Sequence, residues 1–268
     1  FFEKIIFKMK KRVIFDFDDA IFLNSDFMQK SIITNSLSRN LSRLPDIIKR
    51  SNKIIVGNEY LAKYAKQFNS QIEIIPTVID TEIYTKKKDE INHRILRLGW
   101  MGTCKNLKYL REKLSVLKAF HAENPETVLI ICSSCCKYLK EFNSIIPTKY
   151  VLWSSKNEVK ILHLFDVGLM PLFDSEWVQG KCSFKLIQYM ACGVAAIGSA
   201  IGQNKQLIIN GFDGFLAETD NEWVEKIGLL KQENIKERII ENARKKIENE
   251  YSINSALNNY IKIFLSII

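Results

Sequence analysis

Two lysines in the second half of the chain have the type and spacing to bind an anion. Lys181 and Lys185 are four residues apart, and Ser183 between them is predicted to cap the start of a helix. That spacing places both amines on one helix face, beside the free N–H groups of the first turn. The pattern predicts a phosphate site. A plain amphipathic helix with solvated lysines is the alternative that the same residues allow.

The elements around this segment favour the phosphate site. A helix is predicted over 183–192, with Phe184, Ile187 and Met190 as its apolar stripe and Gly193 as a left-handed C-cap. A short strand is predicted next, over 194–197, and another strand over 167–171 precedes the loop that leads into the helix. In open α/β sheets, ligands bind beyond the carboxyl ends of the strands, so the loop and the helix start should face such a crevice.

The whole chain alternates apolar runs with helical patterns, which predicts an α/β fold with doubly wound parallel sheets. Strands are predicted at 13–17, 54–56, 72–75, 95–100, 128–131, 150–153, 167–171, 194–197 and 214–216. Helices are predicted at 27–50 with a break near Pro45, and at 59–68, 107–123, 157–164, 183–192, 204–210, 221–230 and twice within 234–268.

Composition indicates a folded protein with anionic partners. The chain has 268 residues, 47% of them hydrophobic, and a formal net charge of +9. No nucleic-acid module is visible, so a nucleic-acid partner is not predicted. Cys132 and Cys135 have C-x-x-C spacing, but a second half of a zinc site is missing, so no metal and buried free thiols are expected. Neither a membrane span nor a signal peptide is visible, which predicts a cytoplasmic protein.

Six segments follow one another in an order and spacing typical of one enzyme family. They are GNEYLAKYA (57–65), IIPTVID (74–80), LGWMGT (98–103), DVGLMPL (166–172), KLIQYMACG (185–193) and NGFDGFLA (210–217). With them the chain resembles the retaining, metal-independent glycosyltransferases of the GT-B fold, family 4, also called glycosyl transferases group 1. The resemblance implies two Rossmann-like domains, a nucleotide-diphosphate sugar as donor substrate, and no further cofactor.

The resemblance also implies a division into domains. It predicts an incomplete first, acceptor-side domain over 1–82, a linker over 83–94, a nucleotide-sugar-binding domain over 95–250 and a final helix, 251–268, that packs back on the first domain. The first domain is shorter than such a domain should be, so an N-terminally truncated chain is expected, and this fragment could lack activity.

The same resemblance implies a donor site without a named catalytic residue. Members commonly carry two glutamates eight positions apart, and the matching positions here are Gly180 and Gln188. Gln188 is expected to bond the ribose hydroxyls, and Glu176 or Asp174 to stand in for the absent acid. Trp153 is a candidate to stack the nucleobase, with a core tryptophan as the alternative. The predicted donor-binding residues are Gly102, Thr103, Lys105, Trp153, Glu176, Lys181, Lys185 and Gln188.

Several alternatives stay open at this point. Asp16 and Asp18 follow a strand as in haloacid-dehalogenase-type phosphatases, in which one aspartate attacks phosphate and the other serves as acid and base. A nucleotide-sugar-binding protein without activity is the third class. The acceptor is not predicted, and a surface polysaccharide or other glycan, a lipid-linked sugar and a protein all stay open. Weak docking on an anionic inner membrane leaflet is a hypothesis that the basic charge suggests.

Overall fold

The computed structural model describes residues 12–23, 43–88 and 95–268, and its contacts divide the chain into two compact units. The first unit takes the residues up to Thr77 together with Asp174–Cys182 and Asn254–Ile268. The second unit takes Val78–Phe173 and Ser183–Ile253. This grouping assigns 174–182 to the first unit, whereas the predicted boundaries enclosed that segment within 95–250. The predicted linker extends outside the described residues, and the predicted boundaries stay a prediction.

A three-stranded parallel sheet forms the centre of the first unit. Its order is β1-β2-β3, with β1 at Ile14–Phe17, β2 at Lys53–Val56 and β3 at Ile72–Ile74. These strands match the predicted ones to within one residue. The helices of this unit are α1 (Leu44–Arg50), α2 (Glu59–Ala65), α7 (Glu176–Gln179) and most of α12 (Ile253–Leu265).

Two helices of this unit differ from the prediction. Pro45 lies in the first turn of α1, where its missing N–H costs nothing, so it starts a helix rather than breaking one. The earlier part of the predicted helix, 27–42, lies outside the described residues. The short α7 was not predicted; its N-cap, Ser175, accepts a hydrogen bond from the Val178 N–H.

Side-chain contacts explain why 174–182 belongs to the first unit. The Asn58 amide donates to the carbonyls of Lys181 at 3.2 Å and Gln179 at 3.4 Å. Gly180 lies so close to Ala20 that an added Cβ would stand 2.5 Å from the Ala20 Cβ. Cys182 is buried with the core of this sheet and its helices. The segment is therefore fixed at the carboxyl ends of β1 and β2.

A six-stranded parallel sheet forms the centre of the second unit. Its strands are β4 (Leu96–Gly102), β5 (Thr127–Ser133), β6 (Thr148–Leu152), β7 (Val167–Met170), β8 (Ala195–Ser199) and β9 (Phe215–Ala217). Their order is β6-β5-β4-β7-β8-β9, which is the order of a doubly wound dinucleotide-binding sheet. Each predicted strand is present, with bounds that differ by up to two residues.

Helices cover both faces of this sheet. They are α3 (Leu107–Arg111), α4 (Leu114–Glu123), α5 (Leu139–Asn143), α6 (Glu158–Leu162), α8 (Phe184–Ala191), α9 (Asn204–Leu207), α10 (Asp220–Leu229) and α11 (Glu233–Glu250). Alternate strand residues face two apolar layers: Leu98 and Trp100 lie in one core, and Met101 in the other. The predicted helix 107–123 is interrupted at Lys113, whose φ of −106° and ψ of 20° are not helical, and α5 was not predicted.

The start of α8 differs from the prediction. The helix begins at Phe184, so Lys181 lies before it, and the two lysines do not share a helix face. Ser183 precedes the helix with a left-handed φ of 57°, and its side chain makes no capping hydrogen bond. Phe184 is 40% exposed instead of joining the apolar stripe. The predicted left-handed Gly193 is confirmed at φ 68°.

The expectation of buried free thiols in the C-x-x-C segment is confirmed for Cys132 and is wrong for Cys135. Cys104 and Cys135 form a disulfide, with Cα atoms 5.4 Å apart. The sheet register explains the pairing, because Gly102 is opposite Ser133 and each cysteine lies two residues beyond its strand end. The free cysteines are Cys132, Cys182 and Cys192, which are buried, and Cys136, which is exposed. None of the helices in the described part of the chain is long and apolar enough to cross a membrane.

Candidate functional site

The strand order of the second unit creates a crevice at one place on the sheet. The chain winds outward from β4 in both directions, through β5 to one edge and through β7 to the other. The connections between strands therefore cross one face of the sheet on the β5 side and the opposite face on the β7 side. This leaves a gap beyond the carboxyl ends of β4 and β7. Gly102 ends β4 and Met170 ends β7. Residues just after these strands are thus the first candidates for ligand contact.

Gly102 provides a close approach to the backbone at this gap. A Cβ added there would stand 2.7 Å from Cη2 and 2.8 Å from Cζ2 of Trp100, and 3.1 Å from Cε of Lys185. Thr103 follows with extended backbone, and Lys105 lies in the next 3-10 turn; both residues are exposed. Position 102 therefore requires glycine, because the space that a side chain would take is filled by the Trp100 ring and the Lys185 side chain.

Lys185 is the cation that the structure brings to this glycine. It is the second residue of α8 and is half-buried, with its side chain beside Gly102. The Tyr189 hydroxyl accepts a hydrogen bond from the Met101 N–H at 3.1 Å, which ties α8 to the end of β4. Gly168 lets the Tyr189 ring approach β7, since a Cβ there would stand 2.5 Å from the ring. A positive charge and a helix N-terminus thus lie at the end of β4.

A buried polar chain fixes the turn before α8. Ser183 is 2% exposed, and its hydroxyl donates to Oδ1 of Asn204 at 2.7 Å. The Asn204 amide in turn donates to the carbonyl of Ser199, the last residue of β8, at 2.9 Å. The left-handed backbone of Ser183 is therefore stabilised by the first residue of α9, and the first turn of α8 keeps one position relative to β8.

Trp153 lies just beyond the end of β6 and is 43% exposed, which excludes a core tryptophan. Its indole N–H donates to Oε2 of Glu158 at 2.5 Å. In the sheet order, β6 is two strands from β4, a separation of about 10 Å. The predicted phosphate and base contacts are thus separated by a distance that suits an extended nucleotide.

Gln188 is held by a neighbouring carboxylate, and its predicted contact with the donor ribose stays a prediction. It is 3% exposed, and its amide donates to Oε1 of Glu158 at 2.6 Å. The Tyr84 hydroxyl donates to the same oxygen. Burial, followed by the hydrogen bond to Glu158, raises the pKa of Tyr84 to about 12, so it remains a donor at neutral pH. Gln188 is therefore held by a carboxylate within the second unit.

Sequence reasoning missed Glu158 and Tyr84. Glu158 is the first residue of α6, where an acid is common because it complements the helix dipole. Its residue type and position therefore did not indicate a functional role. Tyr84 lies in a stretch that the sequence marked as a polar linker. Only the long-range contacts reveal that the two side chains meet.

The two remaining candidates lie in the first unit. Glu176 is exposed at the start of α7, and Lys181 holds its Nζ 5.8 Å from the centre of the Trp177 ring. Their role in donor binding stays a prediction. Across residues 12–23, 43–88 and 95–268, no three His, Cys, Asp or Glu side chains come together as metal ligands would.

Comparison with known proteins decides the family. A family model described as Glycosyl transferases group 1 matches residues 92–232, more than half of the chain. The chain belongs to the group 1 glycosyl transferases. A curated Bacillus subtilis (strain 168) protein is 22% identical over 176 residues, covering 60% of this chain and 43% of its own length. Its name is "Putative teichuronic acid biosynthesis glycosyltransferase TuaH". The chain therefore spans less than half of this relative.

Solved structures show the same fold. Anabaena HepE, crystallised with UDP and glucose, has a TM-score of 0.72 at 14% identity, covering 99% of this chain and 74% of HepE. Sucrose-phosphate synthase from Thermosynechococcus elongatus has a TM-score of 0.69 at 12% identity, covering 98% and 71%. TarM has a TM-score of 0.72 at 14% identity, covering 94% and 50%. This group 1 glycosyl transferase thus has the GT-B fold, and the phosphatase alternative on Asp16 and Asp18 is not favoured.

Proposed function

We propose that this group 1 glycosyl transferase moves a sugar from a nucleotide-diphosphate sugar to a glycan acceptor, with retention at the anomeric carbon and without a metal ion. The observation that carries the proposal is the Lys185 side chain beside Gly102 at the carboxyl end of β4. There a cation, a helix N-terminus and a strand-end glycine come together in a doubly wound sheet, and this combination suits a diphosphate.

The chemistry of the proposed reaction needs positive charge at one place. As the bond between the sugar and the diphosphate breaks, negative charge grows on the β-phosphate. Lys185 and the N–H groups at the start of α8 would stabilise that charge electrostatically, and Gly102 and Thr103 would admit the phosphates to the backbone. Trp153 would stack the nucleobase. Lys105, Lys181, Glu176 and Gln188 remain the further proposed donor contacts.

Donor and acceptor are proposed from the relatives' names. HepE has been crystallised with UDP-glucose, so a uridine diphosphate sugar is the first donor to test. The Bacillus subtilis relative is named for teichuronic acid biosynthesis, which favours a surface polysaccharide as acceptor. We also propose weak docking on an anionic inner leaflet from the net charge of +9. Location in the cytoplasm stays a prediction, and the Cys104–Cys135 disulfide is a bond type that is rare there.

Calorimetric titration with UDP, GDP and ADP in the presence of EDTA tests the donor site. We expect one of them to bind wild type, and Lys185→Ala to weaken binding by about 10- to 100-fold, the value of one hydrogen bond to a charged group. Lys149→Ala is the matched control, because Lys149 is an exposed lysine within β6. Equal affinity in Lys185→Ala and wild type, or no nucleotide binding at all, would contradict the proposal.

Turnover separates an enzyme from a binding protein. In the presence of EDTA, release of UDP from UDP-glucose together with a glucosylated polysaccharide acceptor, whose new bond keeps the anomeric configuration of the donor by NMR, would support metal-independent transfer with retention. Tight nucleotide binding without any release of product would instead identify a nucleotide-sugar-binding protein.

A further inference from the structure

The Glu158 carboxylate receives three side-chain hydrogen bonds within the second unit. Oε2 accepts from the Trp153 indole at 2.5 Å, and Oε1 accepts from the Gln188 amide at 2.6 Å and from the Tyr84 hydroxyl. These donors come from three separate segments: the end of β6, the buried side of α8 and the turn near residue 80. Glu158 thus connects the predicted base-stacking residue to the helix that carries Lys185.

The backbone around this carboxylate is also fixed. The Trp153 N–H donates to the Ser133 carbonyl at 3.1 Å, which continues the pairing of β6 with β5. Asn157 accepts from the Ser154 N–H at 3.0 Å and donates to the Leu152 carbonyl at 3.4 Å, closing the turn between strand and helix. With the main chain fixed on both sides, the hydrogen bond to Glu158 sets the direction of the Trp153 ring.

The charge of Glu158 is stabilised by neutral donors. In the described part of the chain, no lysine or arginine forms a salt bridge with its carboxylate. Hydrogen bonds to an ionised acceptor are about twice as strong as those between neutral groups, so the indole has a strong orienting partner. Gln188 is 3% exposed, and the Glu158 carboxylate cannot rotate away without losing its hydrogen bond to the Gln188 amide.

We infer that Glu158 is a positioning residue for the donor: it orients the exposed Trp153 ring as a platform for the nucleobase. This inference rests on the proposed function. Trp153 is 43% exposed, whereas Trp100 and Trp223 are 2% and 1% exposed. An exposed aromatic ring that is held in one orientation stacks a base without the entropic cost of ordering the side chain on binding.

A double-mutant cycle on Glu158 and Trp153 tests the inference. UDP affinity is measured by calorimetry for wild type, Glu158→Ala, Trp153→Phe and the double variant. Ordering one side chain corresponds to about a threefold to tenfold change in affinity, so Glu158→Ala should weaken UDP binding by that factor. Phenylalanine has no indole N–H, so Glu158→Ala should change affinity less than about twofold in the Trp153→Phe protein.

A fluorescence measurement tests the contact without nucleotide. The difference between wild type and Trp153→Phe isolates the emission of Trp153. Glu158→Ala should lower its anisotropy and raise its quenching by iodide, and Glu158→Gln, which keeps an acceptor oxygen, should lie between the two. Glu141→Ala is the control, because it removes a partly exposed carboxylate bonded to Arg111 and should change neither readout.

The outcomes separate the two proposals. The positioning role would be overturned if Glu158→Ala weakened UDP binding equally in wild type and in the Trp153→Phe protein. It would also be overturned if the fluorescence of Trp153 were unchanged in Glu158→Ala and Glu158→Gln. If wild type binds none of the nucleoside diphosphates, the proposed function fails, and the fluorescence measurement still shows whether Glu158 orients the ring. Altered fluorescence together with the predicted non-additivity would support the role.

Discussion

Replacing Gly102 by alanine gives the sharpest test of the close approach at the end of β4. The new methyl group would stand 2.7 and 2.8 Å from two ring atoms of Trp100, where carbon atoms normally stay about 3.5–4.0 Å apart. Trp100 is 2% exposed and lies in the core of the second unit, so its ring cannot turn into solvent. Overpacking of this kind costs about 1–3 kcal/mol. We expect Gly102→Ala to lower the free energy of unfolding by that amount.

Gly228 offers a matched control for the same chemical change. It lies inside α10, and an added Cβ would meet nothing within 4 Å. Alanine is favoured over glycine in a helix by about 0.5–1 kcal/mol, so Gly228→Ala should stabilise the protein by that amount. Urea denaturation of both variants beside wild type measures the two changes, which should have opposite signs.

The same variant also bears on nucleotide binding. The added Cβ at position 102 would stand 3.1 Å from Cε of Lys185, so the amine should be displaced from the end of β4. We expect Gly102→Ala to weaken UDP binding, measured by calorimetry, and Gly228→Ala to leave it unchanged. A Gly102→Ala protein with the urea midpoint and UDP affinity of wild type would refute this account of the site.

Two further predictions concern stability and thiol chemistry. Asp166→Asn should destabilise the protein by about 3 kcal/mol at pH 7, because it leaves Arg97 and Lys87 without their buried anion. Burial alone would raise the pKa of Asp166, but the Arg97 hydrogen bond and the Lys87 charge outweigh it and lower the pKa. The difference in free energy of unfolding between wild type and Asp166→Asn, measured by urea denaturation, should therefore shrink as the pH falls below 3.8. Thiol titration at pH 8 without reductant tests the cysteines, and exposed Cys136 should react rapidly. Burial raises the pKa of the other three free thiols to about 12, so these should react only after unfolding. Six reactive thiols after unfolding without reductant would contradict the disulfide.

The strands were predictable because a strand that is buried on both faces has a continuous apolar sequence. The runs at 128–131 and 194–197 are continuous and apolar, and in the structure they lie in central strands between two helical layers. Strand order was not predictable in this way, since it depends on which helices cover which face. That order places the gap beside Gly102, so the location of the site follows from tertiary packing.

The error at Ser183 has a physical cause of the same kind. Locally, a serine before an apolar stripe predicts an N-cap, and the lysines on either side then appear to share a face. The hydroxyl instead donates to Asn204, twenty-one residues later, and the backbone adopts a left-handed conformation that separates Lys181 from the helix. A contact between distant segments outweighed the local preference, and no pattern within the segment could have indicated it.

Gln188 shows why a single position can mislead when it is judged alone. The family resemblance implies a glutamate there, and by sequence the glutamine looks like the loss of a charged acceptor. In the structure its amide donates to Glu158 at 2.6 Å, and an acid at 188 would set two carboxylates against each other at that distance. The glutamine and Glu158 are therefore physically coupled: an amide at 188 allows an acid at 158, and that acid holds Trp153. A negative charge is thus present in this part of the second unit after all, carried by a different residue.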